Sequence, residues 1–477
     1  MDNLDWSYRG YHDRAEVIII IISIHPPSLL YRFKTKFSRS MHVKSDTAVR
    51  TTVDECLSMQ DGSMVELRGW VANKSDIGSL AFILLRDGSN YIQLVGKKGV
   101  SSDYVISVMK DVSIESAILA RGTLRSDARA LNGKEVLVKD IEVIARAEEP
   151  WPINKSTVRS ASFLYDNRHL SIRGMKSSSI MKIRSELIKA ALDFFYDHGF
   201  TFITAPSIVG TAVEGGATLF ELEYFGKKVY LTQSAQFYEE AAICSFGKVF
   251  TMQPAFRAEK SKTPKHLTEF IMIEAEVAFN TQEDNMRLQE ELLTYIYNRV
   301  AERRKREFDI LGRRLKPVEK PFQRIKYDEV RDTAMKHGIN FEWGEDIPTE
   351  AERLISKMFE QPFFITDYPL SARSFYHMCR DDDPRITLSS DLIAPEGFGE
   401  IATGGQRIHD YNTLLERIKS SNLPLESFRW YLDLRRYGMP PHAGFGIGVE
   451  RVLRWLCNLK HIRATSLFPR TITRVYP

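Results

Sequence analysis

A chain of 477 residues is too long for one ordinary hydrophobic core, and 43% hydrophobic with 27% charged residues excludes wholesale disorder. The net charge of +4, from 66 basic and 62 acidic side chains, neither requires nor excludes a nucleic-acid partner. The four cysteines are too far apart for a zinc site or a disulfide framework, so we expect a reducing, cytoplasmic location.

Residues 1–45 are an N-terminal extension to which the sequence assigns no role. Its apolar stretch Val17–Ser23 is far shorter than the roughly 20 residues that a membrane span needs, and Pro26 follows closely. Acidic side chains such as Asp13 and Glu16 precede the stretch, where targeting leaders avoid acids. We therefore expect no membrane partner.

Residues 46–147 predict a small domain of short strands. Turn residues such as Asp87-Gly88 and Asn132-Gly133 separate these strands. The predicted strands are Met64–Ala72, Ala81–Arg86, Tyr91–Val95, Ser116–Leu124 and Glu135–Ile144, with one helix near Tyr104–Lys110. Five strands and one helix in about eighty residues are typical of a closed β-barrel of the OB type.

A linker at 148–168 leads into a second domain at 169–477. This domain opens with an amphipathic helix whose apolar face includes Leu187 and Phe195 and which Gly199 ends. Further strands are predicted at Lys228–Thr232, Val249–Phe256 and Phe270–Phe279, and further helices near Asp284–Phe308 and Asn412–Lys419. Since no regular βαβ repeat is visible, we predict an α+β domain built on an antiparallel sheet with flanking helices.

Two clusters carry the candidate chemistry of the second domain, which has no Walker loop and no dinucleotide glycine fingerprint. Two strands joined by a basic loop would present Arg257, Lys265 and His266 at one end of a hairpin. Such a cluster suits a polyphosphate, although a solvated hairpin tip explains it equally well. The second cluster, Gly444–Arg451, has glycines that let a strand approach a ligand, but such glycines more often mark a crowded strand.

Together with Gly199–Pro206 after the long helix, the two clusters resemble the three motifs of class II aminoacyl-tRNA synthetases of the aspartyl/asparaginyl branch, in the family's order. The resemblance implies a homodimer formed through the helix and strand around Pro206. It also implies that ATP binds in a bent form on the antiparallel sheet. Because the substrate carboxylate itself attacks ATP in this family, no nucleophilic side chain is expected.

The resemblance implies a set of residues for ATP. Arg257 would hold the α-phosphate and, with Arg451, is a candidate catalytic residue. Phe270 would stack on the base opposite Arg451, Glu259 would meet the adenine amino group, and His266 would meet the outer phosphates. The predicted ATP-binding set is Arg257, Glu259, Lys265, His266, Leu267, Phe270, Glu400, Gly448 and Arg451. The predicted ligands of the accompanying Mg²⁺ are Glu400 and Thr403.

In the branch's amino-acid pocket, Glu214 and Gln236 would contact the substrate ammonium, and Arg407 would contact a side-chain oxygen. Aspartyl enzymes carry lysine at the position of Glu239; the acid found here repels aspartate but accepts from an amide nitrogen. Glu240 matches the acid that reads this amide in the asparagine-specific members. We therefore expect L-asparagine to be activated with ATP and transferred to tRNA(Asn), while the direction in which Glu239 points stays open.

The barrel would bind the anticodon. Phe82 and Gln93 stand at the spacing with which the branch stacks on and reads the central uridine, an ordinary way of recognising unpaired bases. Without the resemblance, Phe82 is more typical of a core position. Lys74 and Asp76 replace arginines often found in the preceding loop, and the reader of the third anticodon base is not assigned.

Three other functions fit parts of the pattern. A relaxed aspartyl enzyme would load both tRNAs, but Glu239 in place of lysine disfavours it. A related synthetase of free asparagine would use ammonia instead of tRNA, and such enzymes dispense with the barrel. A paralogue kept only for RNA binding would be expected to lose Arg257, Glu400 or Arg451, and all three are present.

Overall fold

The computed structural model describes residues 48–210, 218–260, 263 and 265–477, which fall into two compact units that divide after Trp151. The strands of the first unit are β1 (Val49–Arg50), β2 (Met64–Ile77), β3 (Leu80–Arg86), β4 (Tyr91–Lys97), β5 (Ala117–Ser126) and β6 (Lys134–Ala145), and its helices are α1 (Val53–Ser58) and α2 (Asp103–Asp111). The strand order is β1-β2-β3-β4-β6-β5, and β2 also pairs with β5. This second pairing closes the sheet into the predicted barrel.

Alternating apolar and polar positions build the barrel wall. Ile83 on β3 points inward and is fully buried, whereas the neighbouring Phe82 faces outward and is half-buried. The carboxylate of Asp87 accepts hydrogen bonds from the backbone N–H groups of Ser89 and Asn90, both at 2.8 Å. These bonds form the turn that leads from β3 into β4.

The second unit contains an eight-stranded sheet and a three-stranded sheet. Its strands are β7 (Thr201–Phe202), β8 (Ile208–Val209), β9 (Glu221–Tyr224), β10 (Lys227–Leu231), β11 (Lys248–Phe256), β12 (Glu269–Ala278), β13 (Gln323–Lys326), β14 (Phe363–Thr366), β15 (Ser389–Ala394), β16 (Gly399–Gln406) and β17 (His442–Gly448). The order in the large sheet is β13-β14-β15-β16-β17-β12-β11-β7. Its inner strands are antiparallel, as predicted, but the edge strands β13 and β7 run parallel to their neighbours, so the whole sheet is mixed.

Helices flank the large sheet. They are α3 (Ala161–Asp166), α4 (Arg168–Ser171), α5 (Met175–Asp197), α6 (Gln236–Phe246), α7 (Gln282–Arg303), α8 (Lys305–Leu311), α9 (Tyr327–Lys336), α10 (Thr349–Ser356), α11 (Tyr411–Ser420), α12 (Arg429–Arg436) and α13 (Val449–Leu456). The predicted long helix near Asp284–Phe308 is in fact two helices, α7 and α8, which separate at Arg304. Among the described residues, no helix combines the length and the apolar character needed to cross a membrane.

The helix α5 supplies much of the main core. Ile183, Leu187 and Phe195 recur at helical spacing and are buried. Phe195 stacks on Phe250 of β11, with ring centroids 4.5 Å apart. Gly199 has a φ of +74°, which glycine adopts without strain, and the chain turns there from α5 into β7.

A smaller core lies beside the β13 edge of the sheet. There α9 and α10 pack on β14 through buried side chains that include Tyr327, Val330, Ala351, Ile355 and Phe363. This core holds α10 against the hairpin formed by β15 and β16. That hairpin carries several of the predicted site residues.

Leu187→Ala is expected to lower the free energy of unfolding by about 2–5 kcal/mol, because Leu187 is 1% exposed and its loss leaves a cavity beneath the sheet. Urea denaturation followed by tryptophan fluorescence measures the change. Ser185→Ala, at an exposed position of the same helix, is the matched control and should leave stability nearly unchanged. Equal stability of the two variants would contradict this description of the core.

Candidate active site

A polar pocket opens on the large sheet where β16, β17 and β12 lie side by side. It brings together predicted site residues that are far apart in the sequence: Gln236, Arg257, Glu259, Lys265, His266, Leu267, Phe270, Glu400, Thr403, Arg407, Gly448 and Arg451. Glu214 lies outside the described residues. Glu240 does not line the pocket.

Glycines of β17 let charged side chains lie against the strand. A Cβ atom on Gly444 would come within 2.2 Å of the Glu276 carboxylate, and one on Gly446 within 2.5 Å of the Met272 methyl carbon. The sequence allowed two interpretations of the glycine cluster, a strand beside a ligand site and a crowded strand, and the strand has features of both. The strand is crowded, and the groups that crowd it are side chains of the pocket wall.

Cations gather at one end of the pocket, on the hairpin that joins β11 to β12. Arg257 stands just after β11, with its guanidinium carbon 5.7 Å from the ring centroid of Phe270 on β12. The Nδ1 atom of His266 lies 2.7 Å from the hydroxyl of Thr263. Burial lowers the pKa of His266 to about 4 despite the opposing charge of Glu259, so the imidazole is neutral near pH 7.

Glu400 on β16 faces these cations, and its carboxylate accepts a hydrogen bond from Arg451 at the start of α13. Burial raises the pKa of Glu400, but Arg451 and Lys265 outweigh this effect and hold the pKa at about 2. Thr403, on the same strand, donates its hydroxyl to Asp391 Oδ1 at 2.8 Å. The oxygens of Glu400, Thr403 and Asp391 are of the kind that a hard cation such as Mg²⁺ prefers.

The opposite end of the pocket is built around a buried guanidinium. Arg407 donates to Glu276 Oε1 from Nη2 at 2.6 Å and from Nε at 2.9 Å, and it lies 5.5 Å from the ring centroid of Tyr376. Glu274 accepts from the backbone N–H of Ala235 at 2.9 Å and is buried in the same wall. Acidic side chains thus lie around the buried Arg407.

Glu239 also lines this end of the pocket and is 1% exposed. Neither of its carboxylate oxygens makes a well-formed hydrogen bond among the described residues, although the Thr251 hydroxyl lies close enough to act on its pKa. Burial, followed by the charges of Glu274 and Glu276, raises the pKa of Glu239 well above its ordinary value. A buried acceptor of this kind is costly unless something binds to it, so its position favours a ligand with a polar hydrogen.

Comparisons with known proteins identify the family of the chain. A family model described as tRNA synthetases class II (D, K and N) matches residues 160–472, and one described as OB-fold nucleic acid binding domain matches residues 65–144. The chain belongs to the class II tRNA synthetases.

Individual relatives point to one part of that family. The chain is 45% identical over 416 residues to the asparagine–tRNA ligase of Desulforamulus reducens, which covers 87% of this chain and 96% of that protein. It matches the structure of asparaginyl-tRNA synthetase from Pyrococcus horikoshii complexed with asparaginyl-adenylate at 43% identity and a TM-score of 0.84, over 87% of this chain and 97% of the other. Entamoeba histolytica asparaginyl-tRNA synthetase matches at 31% identity and a TM-score of 0.84, over 91% and 100%. These likenesses confirm the predicted family and branch, and the synthetase is a ligase that forms aminoacyl-tRNA.

Glu240 lies behind the wall of the pocket, which it does not line. Its fully buried carboxylate accepts hydrogen bonds from the Tyr431 hydroxyl at 2.8 Å and from Arg435, and it lies 3.0 Å from His442 Nε2. It also accepts from Gln236 Nε2 at 3.0 Å. Arg435 and His442 outweigh burial and lower the pKa of Glu240. Its oxygens are thus bonded on the far side of the pocket wall, where Glu240 supports Gln236. The predicted contact between Glu240 and the substrate amide stays a prediction.

In the barrel, Phe82 and Gln93 lie on the outer faces of the paired strands β3 and β4. Gln93 Nε2 donates to Glu135 Oε2 at 2.8 Å, and Arg125 Nε donates to Glu135 Oε1 at 2.7 Å. Sequence reasoning misses Glu135 and Arg125. The alternation of side chains along β5 and β6 could have identified them, because it places Glu135 and Arg125 on the same outer face as Gln93.

Arg435→Ala is expected to cost about 3–5 kcal/mol of stability, because it leaves the fully buried Glu240 carboxylate without its main cation. Urea denaturation measures the loss. The adjacent Arg436→Ala removes an exposed arginine and should change stability by no more than about 0.5 kcal/mol. If the two substitutions have the same effect, the buried pair does not hold this part of the wall together.

Proposed function

We propose that the synthetase activates L-asparagine with ATP to asparaginyl-adenylate and pyrophosphate, and then transfers asparagine to the 3′ end of tRNA(Asn). The observation that carries the proposal is one pocket with cations at one end and a buried Arg407 beside an unbonded Glu239 at the other. The first end suits ATP, and the second suits a carboxamide. The relatives named as asparagine–tRNA ligases support the same substrate.

Positioning and charge account for the activation step. An oxygen of the substrate carboxylate attacks the α-phosphorus of ATP, the bond from this phosphorus to the bridging oxygen breaks, and pyrophosphate leaves. Arg257 and Lys265 line the pocket and would face the phosphates, and a preorganised cation in a pocket shielded from water stabilises developing charge strongly. A terminal ribose hydroxyl of the tRNA then attacks the adenylate carbonyl, and AMP leaves.

Magnesium fits the chain's residues only together with the nucleotide. Among the residues that the structure describes, no cluster of three or more histidine, cysteine, aspartate or glutamate side chains could hold a metal ion alone. Glu400 would therefore hold Mg²⁺ with Thr403 and phosphate oxygens, as predicted from the sequence. Once bound, the ion would neutralise charge on the outer phosphates.

Charge balance favours asparagine over aspartate. Glu239, Glu274 and Glu276 surround the substrate end, and Arg407 is already bonded to Glu276. An aspartate carboxylate would bring one more negative charge into this poorly hydrated space. The amide NH₂ of asparagine instead offers hydrogens to Glu239, and its carbonyl offers an acceptor to the remaining N–H groups of Arg407.

The barrel supports tRNA as the acceptor. Phe82 and Gln93 are half-buried on the same outer face of the barrel, and the buried Glu135 holds the Gln93 amide; an aromatic face and an amide edge on one surface suit an unpaired base. The match to an OB-fold nucleic acid binding domain covers these residues. This surface disfavours the ammonia-using alternative, for which an anticodon site has no purpose.

A homodimer is part of the proposal. Tyr196, Phe202 and Ile208, near Pro206, are large apolar side chains with 57%, 38% and 46% of their surfaces exposed. Exposed apolar side chains close together on a globular unit are typical of an interface.

The four cysteines are free thiols, which fits a cytoplasmic location.

ATP–pyrophosphate exchange on the purified protein, with asparagine and aspartate in parallel and each with and without tRNA, tests the proposal. Exchange should depend on asparagine and should be at least about a hundredfold weaker with aspartate, because rejection depends on unpaired buried charge. Exchange driven by aspartate would transfer the assignment to an aspartyl enzyme or a synthetase of free asparagine. Product analysis with ammonia separates these two.

Glu239→Lys should weaken asparagine-dependent exchange at least about tenfold and raise the exchange that aspartate supports, because it replaces an amide acceptor with a cation. The ratio of kcat/KM for the two amino acids is the measurement. Glu239→Gln, which keeps the size of the side chain, should weaken discrimination without reversing it. An unchanged ratio in both variants would remove Glu239 from substrate selection.

A further inference from the structure

Two side chains of the short helix α10, Glu352 and Ser356, lie one helical turn apart and form hydrogen bonds with the β15–β16 hairpin. The Ser356 hydroxyl donates to the Ala394 carbonyl at 2.6 Å and accepts from the backbone N–H of Gly397 at 3.0 Å. One carboxylate oxygen of Glu352 accepts from the backbone N–H of Glu400 at 2.8 Å. The helix thus holds the strand that carries Glu400.

The approach of Glu352 to this strand depends on a glycine. A Cβ atom at Gly399 would lie 1.8 Å from Glu352 Oε1, and Gly399 has a φ of +82°. Any other residue at 399 would displace the carboxylate and strain the backbone. The contact is therefore built into the hairpin rather than being a chance surface pair.

The second oxygen of Glu352 has a different partner. It accepts from Lys265 Nζ at 2.7 Å, and the two side chains are only 10% and 13% exposed. Lys265 and Glu400 both line the pocket, whereas Glu352 does not. A single carboxylate outside the pocket therefore joins the cationic loop between β11 and β12 to the strand of Glu400.

The bond between Glu352 and Lys265 competes with a direct contact between Lys265 and Glu400. Lys265 and Glu400 carry opposite charges and line the same pocket, so the ammonium and the Glu400 carboxylate attract each other. Lysine has a flexible stem, and without another partner Lys265 would move toward Glu400. Glu352 provides that partner and keeps the ammonium beside the pocket.

We propose that Glu352 is a positioning residue for ATP, which sets the places of Lys265 and Glu400 for the outer phosphates. The inference rests on the proposed ATP site. Glu352 need not contact the nucleotide, and it acts on the end of the pocket opposite to the amino-acid end. Its loss should therefore affect ATP far more than asparagine.

Steady-state pyrophosphate exchange with Glu352→Gln, varying ATP and asparagine separately, tests the inference. Because a charge-assisted bond to Lys265 is lost, the KM for ATP should rise about tenfold. The KM for asparagine should stay within about twofold, since nothing at that end changes. Glu350→Gln, an exposed position on the same helix, is the matched control and should behave like the wild type.

A double-substitution cycle separates positioning from a general structural role. In a Lys265→Gln background, Glu352→Gln should raise the KM for ATP by less than about twofold, because its partner is already gone. Additive effects, or equal rises in both KM values, would overturn the inference. Failure of the wild type to exchange with asparagine would instead reject the proposed function, so the two failures are distinguishable.

Discussion

The buried ion pair between Arg407 and Glu276 is the interaction on which the shape of the pocket depends. It joins β16 to β12 across β17, the strand that lies between them, and Gly444 leaves the space through which the carboxylate reaches the guanidinium. A buried charge without a partner is strongly destabilising, so these strands must keep their register. The pair uses the Nε and Nη2 atoms of Arg407, so that in the proposed function the remaining N–H groups of Arg407 would bind the substrate.

The two ends of the pocket carry side chains of opposite charge. Arg257, Lys265 and Arg451 gather near Glu400, and this end can accept the charge of a polyphosphate. At the other end, Glu239, Glu274 and Glu276 lie around Arg407. One sheet therefore carries a cation-rich end and an acid-rich end in the same pocket. In the proposed function, this difference would orient the substrate.

Much of the fold could be predicted because its signals are local. Alternation on β3 identifies the barrel wall, and the helical spacing of Ile183, Leu187 and Phe195 identifies the long helix. The glycines at 446 and 448 and the arginines at 257 and 451 match family motifs, and the structure brings them into one pocket. The parallel pairing of β7 and β13 at the sheet edges had no such signal, because pairing direction depends on distant residues.

Side-chain direction was harder to predict. Glu239 and Glu240 are neighbours in the first turns of α6 and point about 100° apart, so one lines the pocket while the other bonds to Arg435 behind it. A helix start cannot be placed closely enough from sequence to choose between them. Glu276, Asp391, Glu135 and Glu352 were missed for a related reason, since each matters only through a partner distant in the sequence.

A crystal structure with a non-hydrolysable asparaginyl-adenylate analogue tests the central claim most directly. A carboxylate oxygen of Glu239 is expected to lie within hydrogen-bond distance of the amide nitrogen, while Glu240 keeps its bonds to Arg435 and Tyr431. A bound analogue whose amide nitrogen contacts Glu240, with Glu239 turned away, would contradict it.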